Sequence, residues 1–196
     1  MKKIIMVSTN NTCRSFIAES ILRQYLLDAD QKNVEVISRG LVVLFPEPVH
    51  VKAADMVIKT CGIESLDFRS AQLTQEEVEE SDLILTMTEE QKDKVLEEYH
   101  GYKEIATLNE YARVEGAIID PYGMEDDDYE RCFEQIARLV KKIWQERLGG
   151  NKMIGIGSDH GGYALKQAVI KHLDLRDHGP GRLHHLQDPG LPGSVG

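Results

Sequence analysis

A parallel α/β fold, with a four-stranded sheet flanked by helices, follows from three features of the sequence. Short apolar runs alternate with segments whose apolar residues recur every three or four positions, which is how strand–helix units read. The first apolar run, Ile4–Val7, opens into a short polar loop at a helix start. Third, a break in charge and pattern near residue 149 separates this alternation from a shorter C-terminal remainder.

After Ile4–Val7 the polar stretch Ser8–Thr12 leads into a helix expected over about Arg14 to Asp28, on the spacing of Ile17, Ile21, Leu22, Tyr25 and Leu26. Val34–Ser38 reads as a second strand closed by Arg39-Gly40. Pro46 and Pro48 mark a loop, and Val49–Cys61 returns to helical spacing before Gly62. Thr74-Gln-Glu-Glu has the form of a capping box starting a short helix. Asp82–Met87 reads as a third strand, Glu89–Tyr99 as a charged helix and Ile105–Leu108 as a fourth strand. A long loop then carries Asp120-Pro121-Tyr122-Gly123, and the last helix of this part spans about Asp127 to Arg147.

The chain has 196 residues and a net charge of −10. Such acidity excludes nucleic acid as the main partner, since a phosphate backbone needs a basic face. No apolar run reaches membrane-spanning length, and Met1–Val7 is too short for a secretory core. Three cysteines make no disulfide framework, so the expected setting is the reducing cytoplasm. Residues 1–148 carry 18 basic and 29 acidic side chains, whereas 149–196 carry 5 and 4 together with five of the seven histidines. The expected organisation is one domain over 1–148, a Gly149-Gly150-Asn151 linker over 149–151, and a fragment over 152–196.

The strongest local signal is Ser8-Thr9-Asn10-Asn11-Thr12-Cys13-Arg14-Ser15 between a strand and a helix. Such a loop aims backbone N–H groups and the positive helix end at one point, a setting for an oxyanion such as phosphate. Arg14 adds a planar fork able to grip two phosphate oxygens. A plain strand-to-helix turn, with Asn and Thr as turn residues, accounts for the local pattern equally well.

The wider chain resembles the low-molecular-weight protein phosphatases, whose loop reads Cys-x-Gly-Asn-x-Cys-Arg-Ser followed by Pro-x-Ala-Glu. Residues 8–15 and then Phe16-Ile17-Ala18-Glu19 align with it without gaps. So do Ser38-Arg39-Gly40, Phe68-Arg69-Ser70 with Leu73-Thr74, residues 81–88 and Asp120-Pro121-Tyr122-Gly123. The resemblance implies a phospho-enzyme mechanism without metal or cofactor, acting on a phosphorylated protein. It places the nucleophile at position 8 and phosphate binding on Thr9, Asn10, Asn11, Thr12, Cys13, Arg14 and Ser15. Asn11 would brace the loop, and Ser15 would hydrogen-bond the nucleophile. Asp120 would serve as general acid and then base. Thr12 is similar to the bacterial protein-arginine phosphatases, so phosphoarginine is expected over phosphotyrosine.

Three departures from that pattern matter. Ser8 replaces the cysteine nucleophile; a hydroxyl is far more basic than a thiol, and the loop offers no histidine or lysine to activate it. Impaired turnover follows, or a protein that binds phosphate or phosphoprotein without hydrolysis. Asn10 replaces a glycine, which Asn does best among residues with a side chain if positive φ is required. Phe16 replaces a proline in the first helical turn.

Other candidates carry less. Asp126-Asp127-Asp128 reads as favouring a helix N-terminus rather than as a metal cluster. Tyr122 and Tyr129 are read equally as packing or as a substrate mouth, Trp144 as core, and His50 as a surface or helix-start residue. Cys13 has the place of a redox partner. An arsenate reductase, which needs a downstream cysteine pair, fits poorly with the separated Cys61 and Cys132. In the remainder, Met153–Gly157 reads as a strand, Ser158–Gly162 as a turn and Tyr163–Leu173 as a helix. This short β–α fragment resembles the opening of the B-type ribose-5-phosphate isomerases, in which Asp159 and His160 would help bind the sugar phosphate. It covers about twenty residues and lacks the catalytic cysteine region, so the pair is read as vestigial.

Overall fold

The architecture is a computed structural model that describes residues 1–149. The Met153–Gly157 strand, the helix after it, and Asp159 and His160 lie outside the described residues. The elements run β1 (Lys2–Ser8), α1 (Arg14–Asp28), β2 (Val34–Gly40), α2 (Val51–Cys61), α3 (Gln75–Glu80), β3 (Leu83–Thr86), α4 (Glu89–Glu98), β4 (Ile105–Thr107), α5 (Leu108–Ala112) and α6 (Asp126–Arg147). The four strands form one sheet in the order β2-β1-β3-β4, with every pairing parallel.

Alternation along β1 divides the core. Ile4 and Met6 face one layer, with the buried residues of α1, α2, α5 and α6, while Ile5 and Val7 face the other, with Val78 of α3 and Val95 of α4. A central strand covered on both faces must be apolar throughout, which is why β1 reads as a continuous run. Helix α1 is likewise buried over most of its surface, Arg14 through Leu22 included.

The strands exceed the apolar runs at their ends. β1 extends to Ser8 and β2 to Gly40, because Ser8 pairs with Gly40 in register. Gly40 has to be a glycine: a Cβ there would lie 2.4 Å from Val43 Cγ2, 3.0 Å from the Thr9 carbonyl oxygen and 3.1 Å from the Asn10 carbonyl carbon. The end of β2 thus lies directly against the polar loop. The capping box at Thr74 is formed, with its side chain accepting from Glu77 N–H. A second one, Thr107 with Glu110, starts α5 inside the stretch expected to be loop.

Phe16 takes the proline position without disrupting α1. Its ring packs edge-on against Phe68 at 4.7 Å between centroids, so burial offsets the missing preset φ. Trp144 is buried in the core and stacks on Tyr25. Among the described residues, no helix is long and apolar enough to cross a membrane.

Candidate active site

The loop after β1 is fixed from below. Leu41 N–H donates to the Ser8 and Thr9 carbonyls at 3.0 and 2.9 Å, and Val42 N–H to the Thr9 carbonyl at 2.9 Å. From the α4 side, the buried Gln91 donates its amide to Thr9 Oγ at 3.0 Å and accepts from Met87 N–H at 3.0 Å.

Asn11 is the brace. Fully buried, it adopts φ +59°, the left-handed region that Asn tolerates better than most residues. Its Oδ1 accepts from Ala71 N–H at 3.0 Å, and its Nδ2 donates to Ser15 Oγ at 3.0 Å and Ser38 Oγ at 2.9 Å. The positive φ expected at Asn10 therefore falls one residue later. Asn10 stays outside the left-handed region and is exposed, while Asn11 takes the turn because its amide can bond three segments at once.

Ser8 sits on the floor. Its hydroxyl oxygen lies 2.7 Å from Ser15 Oγ and accepts from Asn11 N–H at 3.3 Å. Behind the brace, Ser38 donates to Glu19 Oε2 at 2.5 Å, and Arg23 reaches Glu19 Oε1 at 2.7 Å. Burial raises the Glu19 carboxyl above its ordinary range despite Ser38 and Arg23 pulling it down. Glu19 and Ser38 carry no separate signal in the sequence, although both stand within the Phe16-Ile17-Ala18-Glu19 and Ser38-Arg39-Gly40 motifs.

Around this floor the loop keeps donors unspent. Among the described residues, the backbone N–H groups of Asn10, Thr12 and Cys13 meet no protein acceptor. Cys13, at the N-cap of α1, supplies no side-chain cap either. A helix start with open N–H groups favours an anion by hydrogen bonding and by its dipole. Arg14, buried, supplies a full positive charge and bonds the Asp120 carboxylate, whose other oxygen accepts from Tyr122 N–H at 3.1 Å.

A cleft of about 170 Å³ collects Ser8, Thr9, Asn10, Thr12, Cys13, Arg14 and Asp120 in one place. Its wall adds His50, Tyr122 and Tyr129. The two tyrosines separate here: Tyr129 is buried in the wall and Tyr122 is 79% exposed at the rim. His50 is more than a helix-start residue. Its N–H holds the Thr12 carbonyl at 2.9 Å, its ring stacks on Tyr129 at 4.9 Å, and its Nε2 lies 3.4 Å from the Tyr129 hydroxyl. Nothing in the sequence around position 50 signals that contact, which comes from α6 packing beside the start of α2. Asp126 pairs with Lys52 and Asp128 with Arg131 at the start of α6, so that acidic run is spent on ion pairs and the helix end. Arg14, Thr9 and Asp120 also border a second cleft of about 340 Å³, lined further by Thr88, Gln91 and Lys94.

Cys13 stands at the start of α1 in the same cleft as Ser8. Burial pushes its thiol up to about 12 against the pull of Arg14. Cys132 is pushed to about 12 and Cys61 to about 11, again chiefly by burial. All three cysteines are free thiols.

A family model described as low molecular weight phosphotyrosine protein phosphatase matches residues 3–152. The low molecular weight protein-tyrosine-phosphatase PtpB of Staphylococcus haemolyticus is 36% identical over 141 residues, covering 72% of this chain and 96% of that protein. The crystal structure of the low molecular weight protein tyrosine phosphatase from T. tengcongensis superposes with TM-score 0.69 at 31% identity, over 74% of this chain and 99% of that one. A Cys-to-Ser mutant of YwlE arginine phosphatase, with a phosphorylated active site serine, superposes with TM-score 0.65 at 29% identity, over 74% and 98%. With the strand–loop–helix site already in view, these matches establish that the chain belongs to the low molecular weight phosphotyrosine protein phosphatase family.

Proposed function

We propose that the protein binds phosphorylated protein, or free phosphate, at the loop 8–15 and that Ser8 impairs its turnover. The observation that carries this reading is the floor of the cleft: a hydroxyl at position 8 beneath unspent N–H groups and the Arg14 guanidinium. A phosphoryl group there would sit among the loop N–H groups, its oxygens gripped by Arg14 in place of the Asp120 carboxylate. Asp120, released from that pair, would stand at the leaving group as acid and then as base for water.

The nucleophilic step is the weak one. A free thiol ionises near pH 8.5 and is pulled lower beside a helix start and a cation. A serine hydroxyl needs a base. Among the described residues, no hydrogen bond joins Ser8 to a histidine, lysine or carboxylate. The phosphorylated serine of the YwlE mutant supports a loop of this kind that holds a phosphoryl group beside serine.

Phosphoarginine is the preferred substrate class on the presence of Thr12 in the wall and of the YwlE arginine phosphatase among the similar structures. The cytoplasmic setting rests on the three unpaired cysteines. Residues 152–196 are read as a separate fragment without isomerase activity. The test is phosphate binding, and phosphate release from phosphoarginine and phosphotyrosine peptides, measured on one sample. Binding with little release, tighter for phosphoarginine, is expected, with Thr12→Ile shifting the preference toward phosphotyrosine. Rapid release that Ser8→Ala abolishes would overturn the reading. Binding with no release at all would favour a purely non-catalytic binder.

A further inference from the structure

We infer that the second cleft is a subsite for a long cationic side chain, lysine or arginine, standing two residues from the phosphorylated residue of the substrate. This rests on the reading of the loop as a phosphate site and names the kind of protein segment that the site selects.

The cleft holds about 340 Å³ and shares Arg14 and Asp120 with the cleft over the loop. Two of its lining side chains, Leu41 and Ile118, are buried and apolar. Much of its polar lining is already engaged. Gln91 donates its amide to Thr9 Oγ at 3.0 Å and accepts from Met87 N–H at 3.0 Å, and its own N–H goes to Thr88 Oγ at 3.3 Å. Glu90 is the exception. Lys94, one turn further along α4, is the usual helical partner for a carboxylate at that position. It pairs instead with Glu98, at 3.7 Å. Among the described residues, no lysine, arginine or histidine lies within ion-pair distance of Glu90. Its own N–H and the Thr88 hydroxyl hold the Glu90 carboxyl below its ordinary range, so it is charged at neutral pH. Apolar walls with an unpaired carboxylate beside them complement a side chain that has a hydrocarbon stem and a cationic head.

Charge decides between a cation and any other occupant. The formal charges of the lining balance, Arg14 and Lys94 against Glu90 and Asp120. A phosphoryl group gripped by Arg14 adds about two negative charges. The neighbourhood of the second cleft is then net negative, with Asp120 either ionised or protonated, and it favours a cation over an apolar or acidic residue. Filling the loop therefore strengthens the second cleft for its own ligand. Backbone geometry fixes the spacing. Successive side chains of an extended peptide point to opposite sides, and those two residues apart share a side at a separation of about 7 Å. The side chain able to enter the second cleft while the phosphorylated residue fills the first is thus the one at −2 or +2.

The test is calorimetric titration of the full chain with inorganic phosphate and with two phosphoarginine peptides of equal charge. One peptide carries lysines at −2 and +2, and the other carries them at −3 and +3, on the side facing away. The ±2 peptide is expected to bind about fivefold more tightly than the ±3 peptide. Glu90→Gln, at an exposed position, should abolish that difference and leave the Kd for inorganic phosphate unchanged. Glu98→Gln should reduce the difference, because it frees Lys94 to turn back to Glu90. Equal affinity for the two peptides, in a chain that binds inorganic phosphate, overturns the subsite and leaves the phosphate reading intact. A preference that survives Glu90→Gln overturns it as well. Failure to bind inorganic phosphate removes both.

Discussion

On the floor of the cleft, Ser8, Asn11, Ser15 and Ser38 are buried, and each is hydrogen-bonded to another of the group. At the rim, Tyr122 is 79% exposed and Asp120 is held by Arg14 and one backbone N–H. The floor is held by hydrogen bonds among residues distant in sequence, from Ser8 to Ala71, and the proposed reading is that an oxygen at position 8 changes its chemistry rather than its geometry. The rim has few contacts to lose. On the proposed reading, binding geometry and reactivity are separable in this molecule, and the floor is where they part.

The largest expected effect comes from restoring the floor's chemistry without touching its geometry. Ser8→Cys should raise steady-state release from a phosphoarginine peptide by about a thousandfold or more, because it supplies both an ionisable nucleophile and a good leaving group. An unchanged rate would mean that the geometry is not intact after all. Breaking the geometry should come next. Asn11→Ala strands buried partners on three segments and places alanine at positive φ, so a loss of about 3 kcal/mol is expected in chemical denaturation. Asn11→Gly removes only the strain, and should recover less than half of that loss.

The cysteine thiols, one half-buried and two buried, provide a pH test of the same floor and the core beneath it. Cys13 and Cys132 are pushed from about 9 to about 12, so the folded state keeps their protons longer than the unfolded state does. Stability from these groups is fully present below pH 9 and is lost as pH rises toward 12. Denaturation midpoints should fall across that window, and fall less in Cys13→Ala. At pH 8 the native chain should resist alkylation at all three cysteines, and the unfolded chain should not.

Arg14→Lys keeps the charge and loses the fork, so inorganic phosphate should bind about tenfold more weakly. The smallest effect belongs to the rim. Tyr122→Ala should change stability by no more than about 0.5 kcal/mol, as for most exposed positions. It should leave inorganic phosphate binding unchanged and weaken phosphopeptide binding only, which calorimetry on the two ligands distinguishes.

Much of this was legible along the chain. The β1–loop–α1 unit and the sheet class follow from local patterns, and the grouping of Ser8, Arg14 and Asp120 follows from the family resemblance that the spaced motifs carry. What was not legible depends on distance in sequence. The bond from Ala71 N–H to Asn11 Oδ1 spans sixty residues, and no local pattern announces it. That bond, with those to Ser15 and Ser38, is why Asn11 rather than Asn10 takes the left-handed turn. His50 reaches the cleft because Tyr129 of α6 packs against it, a contact created only by the fold. Helix α5 is too short to show a periodicity, although its Thr107–Glu110 capping box was available as a signal.

The central claim is that a complete phosphate site surrounds a nucleophile that cannot turn over. Its most direct test is a calorimetric titration of the full chain with inorganic phosphate, paired with phosphate release from a phosphoarginine peptide by the same preparation. The account predicts saturable binding at one site per chain and no sustained release. Sustained release at the rate of the Ser8→Cys chain, or the absence of saturable phosphate binding, would contradict it.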